Sequence, residues 1–238
     1  MKRLFVTLML LVPTMVWAQD LLIEHVRVFD GHKTINNTSV LVRAGKILAV
    51  GRRTRAPADA RVVDGAGHTL LPGLIDAHTH VQSRADLQKS LLFGVTTDLS
   101  LHMPPQLAAD LRGQKGGVTA SDQADLFTAG FAATAPHGHG TEYGYAVPTL
   151  TSPAEAQAWV DDRIAEGSDF IKIMYEFGGE NGKVVRPSIG QPTLNAIATA
   201  AHRRGKLAIV HIHTDKQALD AAQSGPTGWP TSMPMGMT

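Results

Sequence analysis

The chain has 238 residues, 43% of them hydrophobic and 18% charged, with a formal net charge of +1 and no cysteine. That is room for one large domain or two small ones, with the composition of an ordinary globular protein. The absence of a basic stripe argues against a nucleic-acid partner. The absence of cysteine excludes disulfides, a thiol nucleophile and sulfur ligands, so any metal must be held by nitrogen and oxygen.

The N-terminus reads as a targeting segment. Met1-Lys2-Arg3 is basic, Leu4 to Trp17 is mostly apolar, and Val16 and Ala18 occupy the −3 and −1 positions. Residues 1–18 are expected to be a signal peptide cleaved after Ala18, which implies a periplasmic or secreted protein. The segment is too short for a stable membrane anchor, and Pro13 interrupts it. Loss of Lys2 and Arg3 brings the formal charge to −1.

Residues 19–70 are expected to form a small all-β, sandwich-like domain. Leu21 to Phe29 alternates loosely and ends at the turn signal Asp30-Gly31. Ser39–Val42 and Lys46–Val50 flank Arg43-Ala44-Gly45 as a hairpin, and Arg61–Val63 leads into Asp64-Gly65-Ala66-Gly67. Gly65-x-Gly67 is no dinucleotide fingerprint, because Leu70 stands where the third glycine belongs.

After Gly73 the pattern alternates strand and helix. The run Leu70, Leu71, Leu74, Ile75 has the look of a buried strand, closed by His78 and His80. Ser83 can cap a helix that ends near Gly94. Val95 to Thr97 and Leu126 to Ala132 are the next strands. Ser152-Pro153-Ala154-Glu155 reads as a capping box opening a helix to Gly167. Phe170 to Met174 is an apolar strand with Lys172 inside it. Pro192 opens a helix that stops at Gly205, Leu207 to Val210 is a strand, and Thr214 with Gln217 caps a final helix. Five βα units predict a parallel sheet or β/α barrel, whose chemistry would lie at the C-terminal strand ends.

The polar residues that break these strands lie at those ends. His78 and His80 are two apart, so in a strand they share a face. Alone, that pair would equally suit a strand cap and a core histidine. Lys172 in an apolar strand, with His211 and His213 after another, makes a shared metal site the better reading. No G-x-S-x-G or H-E-x-x-H motif offers a serine hydrolase or that metalloprotease class instead.

Taken in order, LLPGLIDAHTH at 70–80, GVTT at 94–97, DFIKIM at 169–174 and AIVHIHT at 208–214 resemble the amidohydrolase superfamily. The nearest likeness is to exported members close to the imidazolonepropionase and Xaa-Pro dipeptidase branch. The resemblance covers nearly all of residues 20–225. It implies an amidohydrolase-type β/α barrel over 71–225, incomplete at about five units, and an aberrant tail at 226–238. It also implies two divalent metal ions, zinc being the expected metal, held by His78, His80, Lys172 and His211. Lys172 would carry a carbamate. His139 would contact substrate, and His213 would either do the same or replace His211 as ligand.

The implied chemistry is attack by a metal-activated hydroxide on a C–N bond, in a small molecule such as a dipeptide or an acylated amino acid. A homo-oligomer is left open. The family's sixth-strand histidine and eighth-strand aspartate are expected after residue 225 and do not follow it. The tail GPTGWPTSMPMGMT breaks the pattern as an altered reading frame would, so the chain as written is expected to be inactive. The alternative is a non-catalytic periplasmic metal binder using His137, His139, His211 and His213.

Overall fold

The computed structural model describes residues 19–113, 122–177 and 186–225. The signal-peptide reading of 1–18 and the tail at 226–238 fall outside these residues. The chain divides into two compact units that part between Pro72 and Gly73.

The first unit is a five-stranded sheet. Strand β1 (Leu21–Phe29) pairs antiparallel with β2 (Thr34–Arg43), which pairs with β3 (Lys46–Val50). On its other edge β1 runs parallel to β4 (Arg61–Asp64) and β5 (Thr69–Leu70). Arg43 and Lys46 are partners, so the β2–β3 loop is only Ala44-Gly45. Both adopt positive φ, 48° and 74°, as a hairpin turn matching strand twist requires. Val26, Val28 and Val40 form the apolar core, with Ile23, Val42 and Leu70 packed on it. These residues make one sheet; the second layer of a sandwich is not among those described.

The second unit alternates strand and helix. In order come β6 (Leu74–Thr79), α1 (Arg84–Leu92), β7 (Val95–Ser100), α2 (Pro105–Gly113) and β8 (Asp125–Thr128). A 3-10 turn (Pro153–Glu155), α3 (Ala156–Ala165), β9 (Ile171–Met174), α4 (Gln191–Arg203), β10 (Ala208–His211) and α5 (Asp215–Gln223) follow. Strands β6, β7 and β8 pair parallel in that order, as do β9 and β10. An isolated parallel bridge from Ala133 to Ile173 links the two ladders. The result is an α/β fold with its strand ends aligned.

Several expectations change. The third strand of this unit ends at Thr128 rather than Ala132, and the chain beyond it forms an isolated bridge to β9 at Ala133. The expected capping box at Ser152 is a 3-10 turn in which the Glu155 carboxylate accepts from the Thr151 and Ser152 hydroxyls, at 2.6 and 2.8 Å. The Ser152 hydroxyl therefore donates instead of capping. Helix α2 had no strong signal in the sequence, having neither an N-cap residue nor an acidic first turn.

The strand at Leu74 is also not buried. Leu74 and Ile75 are 56% and 64% exposed, and β6 pairs along one edge only among the described residues. The Thr214 cap did form as read: Thr214 Oγ1 accepts from Gln217 N, while Gln217 Oε1 accepts from the His213 and Thr214 amides. No described helix is long and apolar enough to cross a membrane.

Candidate metal centre

Strand alternation sorts the residues of β9 and β10 onto two faces. Ile171, Ile173, Ala208 and Val210 pack with Val160 of α3 and Leu194 and Ile197 of α4. Phe170 and Ile209 lie in a separate cluster with Leu101 and Ala129. Lys172 and His211 continue that second face toward the C-terminal strand ends, and Ile209 is the register partner of Lys172. Lys172 is 1% exposed and its Nζ makes no hydrogen bond. Burial alone pushes its pKa from 10.5 down to about 7.

The loop after β8 and the residues after β9 and β10 converge on one carboxylate. Glu176 Oε2 lies 3.0 Å from His139 Nδ1 and 3.4 Å from His211 Nε2. Its Oε1 lies 3.1 Å from His213 Nε2. The His139 and His211 rings stack at 4.7 Å, and His211 and His213 meet edge to face at 4.8 Å. One ligand atom each from His139, Glu176 and His211 lies within 4.8 Å of the others, close enough to share a metal ion.

The loop bearing His139 is held by its glycines. A Cβ on Gly138 would come within 2.5 Å of Thr134 Oγ1, and Gly140 has φ +98°. Exposed His137, at φ +60°, is not part of this group.

His78 and His80, at the end of β6, have ring centroids 5.4 Å apart. Burial, and then the Lys172 charge, bring His78 down to about 4. Burial also lowers His80, countered by a bond to the His102 backbone. His211 falls to about 3 through burial, then Lys172 and the neighbouring histidines. Burial and the Lys172 charge thus favour neutral imidazoles at His78, His80 and His211, the form in which histidine ligates metals.

Of the residues singled out in the sequence, His139, His211 and His213 gather about Glu176, and His78 and His80 lie side by side, while Lys172 acts on His78, His80 and His211 through its charge; Glu176 and His102 are added by the structure. Glu176 could have been found, since Lys172, Met174 and Glu176 follow the same period-two spacing. His102, just beyond β7, is 4% exposed, and its Nδ1 accepts the Ala132 amide at 3.0 Å. Burial lowers it to about 4. Its sequence neighbourhood carried no comparable signal.

No family model matches the chain. Among curated proteins, it is 44% identical over 64 residues to a dihydroorotase of Geotalea daltonii, covering 26% of this chain and 15% of that one. It is 47% identical over 53 residues to an imidazolonepropionase of Idiomarina loihiensis, covering 21% and 13%. Its fold is similar to a Xaa-Pro dipeptidase with bound methionine in the active site, with TM-score 0.69, 24% identity, and coverage of 87% of this chain and 60% of that one. A prolidase complexed with N-methylphosphonate-L-proline gives TM-score 0.67 and 18% identity, covering 87% and 59%. The chain therefore matches short parts of the curated relatives and spans no more than three-fifths of these two structures. The chain is thus similar over short stretches to a dihydroorotase and an imidazolonepropionase, proteins of the amidohydrolase superfamily, and shares its fold with the dipeptidase over most of its length.

Proposed function

We propose that this chain carries metal-binding strands of a hydrolase that cleaves a C–N bond in an amide, peptide or cyclic amide. One observation carries the reading: Lys172 is buried at 1% exposure and its Nζ has no hydrogen bond, on the strand that pairs with the one ending at His211. An ammonium is costly there, whereas a neutral amine is not. Addition of that amine to carbon dioxide forms an N–C bond, releases one proton and leaves a carbamate anion.

The residues fit two divalent ions such as zinc. All the donors are nitrogen or oxygen, His78 and His211 are held neutral, and the orphaned Nζ would carry a carbamate whose oxygens are anionic donors. His78, His80, His211 and a carbamate on Lys172 would hold the ions. When bound, such ions polarise a carbonyl and lower the pKa of a water. Glu176 places a carboxylate 3.0 Å from His139 Nδ1 and 3.1 Å from His213 Nε2, and these two histidines would face the substrate.

The ladder from β6 to β10 is read as part of an amidohydrolase-type barrel preceded by a small β domain. Dipeptides and acylated amino acids are the substrate class to test first, given the dipeptidase likeness. Export with cleavage after Ala18 belongs to the same proposal, and N-terminal sequencing of the exported protein checks it.

The test is reconstitution of metal-free protein with zinc and 13C-bicarbonate. Two zinc ions per chain and a carbamate carbon resonance, both altered in Lys172→Ala, are expected. No carbamate signal in a folded, zinc-loaded protein would refute the reading. The trio His139, Glu176 and His211 favours a second one, a binder of a single ion. One zinc per chain, unchanged in Lys172→Ala, would establish it.

A further inference from the structure

We propose that the cavity beside His80 is a subsite for an uncharged aromatic side group of the substrate. The proposal rests on the function proposed above and names the substrate class of that site. The cavity measures about 590 Å³ and is lined chiefly by His80, His102, Met103, Leu107, Tyr143 and Tyr145. That volume is in the range of small-molecule pockets, roughly 300–1,000 Å³.

Its walls are already an aromatic stack. The His102 ring lies 5.7 Å from Tyr145 at an interplanar angle of 27°, and 5.6 Å from Tyr143. Tyr143 and Tyr145 are themselves stacked at 6.3 Å and 29°. Phe131 backs the group at 6.0 Å from His102 and 5.7 Å from Tyr145. The Ala132 amide bonded to Nδ1 fixes the His102 ring, while Tyr143 remains 49% exposed and open to a partner. A planar ring entering the cavity meets faces held in place, so little side-chain freedom is lost on binding.

The lining contains no Asp, Glu, Lys or Arg. With no formal charge in the lining, a charged group loses more on leaving water here than a neutral ring does. His80 both lines the cavity and belongs to the histidine pair that faces Lys172, so a bound ring sits directly beside the proposed metal ligands. The geometry suits an aromatic group close to the bond to be cleaved, as in an N-aroyl amino acid or a dipeptide with an aromatic residue.

The experiment is binding of three probes to the full chain, with and without zinc, by ligand-observed NMR. The probes are benzamide, cyclohexanecarboxamide and 4-carbamoylbenzoate. Benzamide is expected to bind saturably, about fivefold tighter than its cyclohexyl analogue, which one or two ring contacts supply. The carboxylated probe should be at least about tenfold weaker than benzamide. Tyr145→Leu should remove the ring preference while leaving zinc content unchanged.

Equal affinity for benzamide and its cyclohexyl analogue, preference for the charged probe, or no saturable binding would overturn the proposal. The wild-type comparison needs no variant to fold. Ring preference without any zinc uptake would sink the metal reading alone. Full zinc loading without ring preference would sink this one alone.

Discussion

Replacing Lys172 by methionine in metal-free protein should remove a rise of stability with pH. Methionine keeps the unbranched shape and removes the charge. The folded lysine titrates near 7 and the unfolded one near 10.5. Between those values the unfolded chain binds a proton that the folded chain does not, so stability rises with pH across the window. At about 1.4 kcal/mol per pH unit the full gain is roughly 5 kcal/mol. From pH 6.5 to 9.5 it is about 3 kcal/mol.

Lys172→Met lacks this contribution, and its other titrating groups are shared with the wild type. Urea denaturation of both proteins, with a chelator and in bicarbonate-free buffer, therefore isolates it. The variant should be the more stable by about 3 kcal/mol or more at pH 6.5, and the difference should shrink by about 3 kcal/mol at pH 9.5. Parallel pH profiles would show that the lysine finds water or a counter-charge, and the argument from its burial would fail.

Glu176→Gln keeps the shape of the group that three histidines approach but removes its charge, and should weaken zinc binding by roughly tenfold or more in a competition titration. Gln217→Ala removes the side chain that accepts from the His213 and Thr214 amides and donates to the Phe177 carbonyl at 2.9 Å. It should cost about 2–3 kcal/mol in denaturant melts and lower zinc affinity with unchanged far-UV dichroism. Gly73→Ala places a Cβ 2.1 Å from Thr96 Oγ1, and should destabilise the protein by about 1–3 kcal/mol, with partial rescue by Thr96→Ala. Tyr175→Phe breaks the buried bond from its hydroxyl to Asp220 at 2.9 Å, and about 1 kcal/mol of lost stability is expected in the same melts.

Much of the second unit was legible because its signals are local. Period two in Phe170 to Met174 and Ala208 to His211, helix caps at Ser83 and Thr214, and Pro72-Gly73 before β6 act within a few residues. The Asp86 carboxylate accepts from the Gln82 and Ser83 amides, and Gln217 plays the matching part at α5. Where the local signal had a competitor, the reading slipped. Ser152 could donate to Glu155 or cap the helix, and it donates. Helix α2 carries neither an N-cap residue nor an acidic first turn, so packing of Ala108 and Leu111 had to define it.

The sequence by itself determined which chemistry was available: nitrogen and oxygen donors, a lysine in an apolar strand, and histidine pairs two apart. It also determined the alternation that sends Ile171 and Ile173 to the helices and Lys172 to the other face. Only the tertiary structure decided which donors meet. Glu176, His139, His211 and His213 belong to three separate segments, and their convergence depends on parallel strands ending at one level. Likewise Leu74 and Ile75 are as apolar as any core residue, yet they stand exposed. Burial, and with it the lowered proton affinity of Lys172, is a property of the surroundings, which no short stretch of sequence contains.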